Sequence, residues 1–224
     1  MLDTLLFIAG ILPYLLQGVY LTLYLTVTSF VIGFLLASLI PPCRLFAGRP
    51  LSWLARAYVE SLRGTPLLVQ LFVVYFGLPA IGLKFDAVTA GVVALGLNSA
   101  AYQAEILRSS IKAIPESQYL SAESLGMSTL QIYRYVVLPQ AVRTAIPALV
   151  NEFVTLIKES SLVSIIGVVE LTRRGEYLVA YTFKALEVYV AVALLYFLVC
   201  ALASQTTRFL ERRLAIPGYT RGVM

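Results

Sequence analysis

Histidine is absent from this 224-residue sequence, and only two cysteines occur, Cys43 and Cys200. Without histidine, the chain lacks the commonest general base and metal ligand, which excludes most hydrolases and metalloenzymes. Two cysteines in apolar surroundings cannot form a disulfide framework, and we interpret both as small buried hydrophobic residues. No Gly-x-x-x-x-Gly-Lys-Ser/Thr pattern occurs, so the chain has no P-loop and cannot hydrolyse ATP by that route.

Charged residues are also scarce, at 13% of the sequence against 59% hydrophobic residues, and the mean hydropathy is +0.85. Soluble domains average about 25% charged and 45–50% apolar residues. The composition therefore excludes a disordered chain, a fibrous protein and a water-soluble domain. A net charge of +5 would suit a nucleic-acid partner, but the positions of the basic residues point to a membrane, and we expect no nucleic acid.

Uncharged runs of helical length predict an all-α membrane protein. A helix needs about 20 mostly apolar residues to cross the hydrocarbon core. We predict a single transmembrane domain over residues 1–224 with a retained N-terminal segment. The fourth of its five spans carries charged residues and prolines, as expected for a helix that lines a polar path. The predicted spans are 15–40, 64–83, 87–107, 131–158 and 188–207, with a cytoplasmic loop at 112–130.

Basic residues fall mainly on one side of these spans, twelve against four. Because short cytoplasmic loops accumulate arginine and lysine, this distribution predicts a multi-pass protein of the cytoplasmic membrane with its N-terminus outside and its C-terminus in the cytoplasm. On the outer side, only Lys84 lies between the second and third spans, and the remaining outer basic residues belong to a loop between the fourth and fifth. The cytoplasmic tail carries Arg208, Arg212, Arg213 and Arg221.

The loop at 112–130 has the signals of a helix, a turn and a second helix. Pro115 suits a first helical turn, residues 117–125 predict a short amphipathic helix, and Gly126 suits the position where φ becomes positive. A second helix is expected from about Ser128. This arrangement predicts a projecting knob on the cytoplasmic side.

The same stretch resembles the signature loop of ABC importer permeases, in which E-A-A is followed by a glycine and later by I-x-L-P. Gly126 and the Val-Leu-Pro sequence at 137–139 match, whereas Leu-Ser-Ala at 120–122 stands at the E-A-A positions and Glu123 lies three residues beyond the first of them. The resemblance implies a type I permease fold and a coupling helix that binds an ATPase subunit. The residues assigned to this coupling are Ser117, Gln118, Leu120, Ser121, Ala122, Glu123, Leu125 and Gly126.

Further motifs are similar to the polar amino acid subfamily, the histidine, glutamine and arginine type permeases. They are R-G-T-P-L-L-V-Q at 63–70, N-x-A-A-Y-x-A-E-I-x-R at 98–108, L-P-Q-A at 138–141, P-x-x-x-N-x-F at 147–153 and K-E-S-S-L at 158–162. The resemblance implies two ATPase subunits, a second permease subunit (identical or paralogous), an extracytoplasmic amino-acid-binding protein and a polar amino acid substrate. It implies no enzymatic activity and no cofactor in this chain, since the partner subunit binds ATP.

Polar residues inside the predicted third and fourth spans are candidates for the substrate path. Carboxylates there would attract an ammonium group, while hydroxyls, amides and a lysine would take a carboxylate. An alternative is that Glu105 pairs with Arg108 and the other acids pair with neighbouring cations to hold the bundle together, with Lys158 and Glu159 as a structural or gating pair. The candidates are Asn98, Tyr102, Glu105, Asn151, Glu152, Lys158, Glu159 and Ser161.

The sequence Arg-Gly-Thr-Pro at 63–66 interrupts a helix and leaves carbonyl groups without partners, which a membrane tolerates only against protein or a water-filled cavity. It is equally consistent with a loop between an interfacial helix and the second span. A competing function is a secondary transporter or channel whose intramembrane carboxylates carry protons or ions without an ATPase. Which amino acid is carried, and whether the pore is a homodimer or a heterodimer, stay open.

Overall fold

The computed structural model describes the backbone of residues 2–46 and 48–214, and the side chains in these ranges except residues 2, 3, 5, 43–46 and 206–214. The interpretation of Cys43 and the expectations for the tail arginines concern side chains outside this described set. Cys200 is half-buried and its thiol is free, so the interpretation of this residue as buried is wrong.

Within the described ranges, the chain forms α-helices and no β-strand, and the predicted all-α fold is confirmed. Turns of π- or 3₁₀-helix follow α3, precede α7 and follow α7. The α-helices are α1 (Leu2–Phe46), α2 (Arg49–Gly64), α3 (Leu67–Phe72), α4 (Ala87–Lys112), α5 (Glu116–Ser124), α6 (Thr129–Gln131), α7 (Leu138–Glu159), α8 (Leu171–Thr182) and α9 (Ala185–Leu214).

Two helical segments in the described chain are long and apolar enough to cross a membrane individually, Leu6–Pro42 and Ala185–Gln205. The segments Arg49–Gly64 and Leu67–Ile81 meet the same criterion together but are bent by 108° at their junction. The central helices α4 and α7 carry more polar groups and are not among them. Five crossings therefore stay a prediction.

Helix α4 occupies the centre of the bundle and packs against α1, α2, α3 and α7. Asp86 caps its N-terminus, where the carboxylate accepts hydrogen bonds from the backbone amides of Val88 at 3.1 Å and Thr89 at 3.2 Å. Its packing on α1 is close at Gly33, where a Cβ atom would lie a tight 3.1 Å from the carbonyl oxygen of Gly96. Small residues of this kind let membrane helices approach closely.

Helix α8 is a correction to the predicted loop between the fourth and fifth spans. Glu170 caps its N-terminus and is fully buried. Its carboxylate accepts hydrogen bonds from the backbone amides of Thr172 and Arg173, both at 2.9 Å, and from the hydroxyl of Tyr196 at 2.8 Å. The hydroxyl of Thr22 on α1 donates a fourth, at 3.4 Å. A charged stretch thus becomes an ordered helix because α1 and α9 supply partners for its cap.

Candidate functional site

The break between α2 and α3 is closed by the side chain of Gln70. Its amide nitrogen lies 2.7 Å from the carbonyl oxygen of Leu62 and 3.0 Å from that of Thr65, the two carbonyls that the 108° bend deprives of helical partners. It also lies 2.9 Å from the hydroxyl oxygen of Thr65. Two carbonyl groups at the Arg-Gly-Thr-Pro interruption, those of Leu62 and Thr65, are therefore satisfied by a protein side chain.

Asn98 on α4 completes this network. Its side-chain nitrogen donates to the Gln70 side-chain oxygen at 3.0 Å and to the Leu62 carbonyl at 3.3 Å, and the residue is buried. Asn98 is therefore buried, whereas Tyr102 one turn later is exposed, although their spacing places both on one face of the helix.

Position 70 was not among the residues predicted for the site. Its place four residues after Pro66 in the R-G-T-P-L-L-V-Q motif was the available signal.

A cleft of about 320 Å³ lies between the end of α2, the second half of α4 and α7. Its polar lining includes Arg63, Tyr102, Glu105 and Thr144. The Arg63 guanidinium lies 5.3 Å from the centre of the Tyr102 ring, a cation–π geometry. Glu105 forms a bidentate ion pair with Arg108, as the structural alternative expected, yet the carboxylate still borders the cleft. Two predicted path residues, Tyr102 and Glu105, therefore share one cavity with a cation and a hydroxyl.

Glu152 on α7 is buried against α4 instead of lining this cleft. The hydroxyl of Ser99 donates to its carboxylate at 2.8 Å, and the amide nitrogen of Gln103 lies 2.9 Å from the Ser99 oxygen. Gln103 also donates to the carbonyl of Phe30 on α1 at 3.2 Å. This chain of polar groups links α7, α4 and α1, so a change in the ionisation or partner of Glu152 reaches all three helices.

The other predicted path residues are more dispersed. Asn151 and Lys158 are exposed on α7, Glu159 at its end is half-buried, and Ser161 donates a hydrogen bond to the carbonyl of Lys158 at 2.7 Å. Among the described residues, the side chains of Lys158 and Glu159 form no direct ion pair, and their suggested role as a structural or gating pair stays a prediction. Neighbouring helical residues point in directions about 100° apart, which keeps their ends separate.

The predicted knob of two helices joined by a glycine turn is present as α5, a turn and α6. Gly126 has φ +74°, in the left-handed region, and its amide bonds to the carbonyl of Glu123 at 2.8 Å. Ser128 and Gln131 form a reciprocal capping box at the start of α6. The predicted helix, glycine turn and second helix are confirmed, with α5 one residue earlier at each end than the predicted 117–125.

The knob has a small core of its own. Ala122 on α5 is buried with Ile111 and Ile114 at the end of α4 and with Ile132 and Val137 before α7. Tyr119 packs against the same cluster, and burial raises the pKa of its hydroxyl. The core of the knob therefore joins α5 to the end of α4 and to the segment before α7, and α4 and α7 are helices that border the cleft.

The apolar residues of α5 do not all lie on one face, and the expected amphipathic pattern is wrong. Ala122 and Tyr119 point into the knob, whereas Leu120 is 56% exposed on the outside and Leu125, just after the helix, is 82% exposed. Of the residues assigned to coupling, all except Ala122 are exposed: Ser117, Gln118, Leu120, Ser121, Glu123, Leu125 and Gly126.

Known proteins share this architecture over nearly the whole chain. A structure of an amino acid ABC transporter with histidines superposes with a TM-score of 0.89 and 40% identity, covering 93% of this chain and 97% of that one. The L-cystine transport system permease protein TcyB of Bacillus subtilis (strain 168) is 40% identical over 203 residues, 90% of this chain and 87% of the relative. The arginine transport system permease protein ArtQ of the same strain is 39% identical over 204 residues, 91% of this chain and 93% of the relative.

The fold and these similarities define the chain as the permease component of an ABC amino acid importer. A model of the family described as binding-protein-dependent transport system inner membrane component matches residues 29–216, and the chain belongs to that family. The resemblance noted in the sequence is thereby confirmed, as is the expected fold class. The family is one of transport components rather than catalytic subunits.

Proposed function

We propose that this chain is the translocating subunit of an ATP-driven importer that carries a polar amino acid into the cytoplasm. The relatives are named for L-cystine and arginine transport, and the similar structure holds histidines, which supports a polar amino acid as substrate. In this proposal the N-terminus is outside and the knob and the C-terminus are in the cytoplasm, as the distribution of basic residues indicates. The partners are two ATPase subunits, a second permease subunit and an extracytoplasmic binding protein.

The observation that carries this proposal is the pair of exposed leucines on a knob with its own core. Leu120 and Leu125 present apolar side chains away from the bundle, while Ala122 between them anchors α5 to the ends of α4 and α7. An exposed apolar patch rimmed by polar residues marks a site of protein association, and in this proposal the two leucines belong to such a patch. A partner that grips these leucines would therefore pull on the two helices that border the cleft.

The cleft supports a polar path for a zwitterionic solute. Glu105 offers a negative group for an ammonium, whereas Arg63 and the hydroxyls of Tyr102 and Thr144 suit a carboxylate. Closure of the ATPases would move the knob, and the α4–α7 contact with the buried Glu152 would carry that movement to the path. This is alternating access powered from outside the membrane domain.

A substitution at the knob tests the proposal. Leu125→Asp places a charge in the apolar surface, and we expect at least a tenfold loss of ATPase subunit co-purifying with the permease, because truncation or charging of a central interface residue costs 2 kcal/mol or more. Leu83→Asp is the matched control, since Leu83 is an exposed leucine in the loop at the opposite end of α4. Normal ATPase capture by Leu125→Asp, or equal losses in both variants, would contradict the proposed coupling surface.

A further inference from the structure

A second cleft, of about 460 Å³, shares Arg63 with the first and lies between the end of α1, α2 and the last turns of α4. Four of its lining residues are basic and two are acidic, an excess of two positive charges. Glu105, one of the two acids, is already engaged by Arg108. Arg56, Arg63 and Lys112 therefore face the cavity with Glu60 as the remaining acid.

Helix α2, which forms one wall, has the character of an interfacial helix. Tyr58 and Val59 pack on α1 and α4, while Leu51 and Leu54, nearer its start, are exposed. Trp53 is 67% exposed beside them. A helix with apolar and basic residues on its surface, bent by 108° from the segment that follows, is typical of a segment at a membrane interface.

We propose that this cleft binds the phosphate of an anionic phospholipid headgroup. Arginine and lysine are the residues that bind phosphate, and the Ser52 hydroxyl on the wall adds a neutral donor. The cleft also has an apolar wall formed by Pro41, Val59 and Ile111. The glycerol region of a lipid would cover this wall, whereas a free phosphate ion would not. The assignment of the lipid to the cytoplasmic leaflet rests on the proposed orientation of the chain.

The position of the cleft gives the lipid a role in the transport cycle. Arg63 lines both cavities, and so does Glu105. A headgroup that attracts Arg63 away from the Tyr102 ring changes the charge that the substrate cleft offers to a carboxylate. The charge of the bound lipid would thus change the affinity of the substrate cleft for a carboxylate through the single side chain of Arg63.

Trp53 makes the proposal directly measurable because it is the only tryptophan in the sequence and belongs to α2. The permease is placed in nanodiscs that contain brominated phosphatidylglycerol or, at equal mole fraction, brominated phosphatidylcholine. Bromine quenches tryptophan fluorescence only at close range, so the comparison reports which headgroup α2 retains. We expect stronger quenching by phosphatidylglycerol.

The variant Arg56→Gln/Lys112→Gln removes two cations that line this cleft. Neither residue lines the substrate cleft. A basic residue near an anionic surface contributes about a fivefold preference for the anionic lipid, so we expect the phosphatidylglycerol preference to fall about fivefold or more. The matched control is Arg49→Gln/Arg143→Gln, which removes two exposed cations outside the cleft and should keep the preference. Circular dichroism of both variants verifies that the bundle is folded.

Equal quenching by the two lipids, or equal losses in both double variants, would overturn the proposal. Loss of the preference on addition of inorganic phosphate at constant ionic strength would show a free-phosphate site and overturn the lipid assignment. The measurement involves no transport and no ATPase. A failed lipid preference therefore leaves the proposed function standing, and a failed ATPase capture leaves the lipid site standing.

Discussion

Replacing Gln70 by leucine removes the amide that closes the break between α2 and α3. The leucine keeps nearly the same volume but donates no hydrogen bond. The carbonyl of Thr65 then loses its donor, and the carbonyl of Leu62 keeps only the 3.3 Å contact from Asn98. Asn98 in turn loses the Gln70 oxygen that accepts from it at 3.0 Å.

The cost follows from the groups left unpaired. A buried acceptor deprived of its donor costs about 1–3 kcal/mol, whereas side-chain hydrogen bonds between membrane helices average only about 0.6 kcal/mol and reach about 1.7. With four hydrogen bonds affected and partial compensation at Leu62, we expect the free energy of unfolding to fall by about 2 kcal/mol. For a chain of this size, that lowers the midpoint of thermal unfolding by about 4–8 °C.

Thermal unfolding of the purified permease in detergent, followed by circular dichroism, checks this value. Gln140→Leu is the matched control, because the Gln140 amide donates only to the carbonyl of Val136 one turn earlier in its own helical segment. The control should shift the midpoint by less than half as much. Equal shifts for the two variants, or no shift for Gln70→Leu, would refute the assignment of Gln70 as the group that stabilises the bend.

Three further predictions concern the knob, the path and the start of α4. Gly126→Ala should lower stability by about 1 kcal/mol in chemical denaturation, because a Cβ atom there meets open space and only the left-handed backbone opposes it. Glu152→Gln should reduce amino acid uptake in vesicles about tenfold while assembly is kept, since glutamine can still accept from Ser99. Unchanged uptake kinetics would contradict the proposed role of Glu152 in carrying movement across the α4–α7 contact to the path. Hydrogen bonds from Thr89 lower the pKa of Asp86 below its usual range, so its stabilising contribution is present above the unfolded pKa and is lost as the pH falls through the folded pKa. The stability difference between the wild type and Asp86→Asn, followed by thermal unfolding, should therefore shrink on acidification, and a difference that grows would contradict this reasoning.

Local sequence signals predicted the knob because its boundaries depend on single residues. Proline at 115, glycine at 126 and serine at 128 each impose a backbone conformation or a cap, and the structure has a helix start, a left-handed turn and a capping box at these points. The predicted start of the third span at residue 87 coincides with the start of α4, because the uncharged run begins directly after Asp86. The sequence did not predict which side chains of α5 point outward. The exposure of Leu120 depends on the core that α4 and the segment before α7 form beneath α5.

Features that depend on distant partners were not predictable. The sequence of α8 looks like a charged loop because nothing near it in the sequence shows that Glu170 is buried. Two partners of this capping residue, Thr22 and Tyr196, lie 148 and 26 residues away. The Arg-Gly-Thr-Pro sequence predicted an interruption, but the 108° angle that brings the freed carbonyls within reach of Gln70 is not specified by a local pattern. The spacing of Asn98 and Tyr102 on one face was evident, but only the packing of α3 on α4 buries the first and leaves the second at the cleft.

The most direct test of the account is amino acid uptake by vesicles reconstituted with this chain alone, compared with vesicles that also contain its ATPase subunit and ATP. If the knob is the place where energy enters, uptake against a concentration gradient will occur only in the complete system and will stop when ATP is replaced by a non-hydrolysable analogue. Concentrative uptake by the chain alone, driven by a proton or ion gradient, would show that the intramembrane carboxylates power transport and would contradict the account.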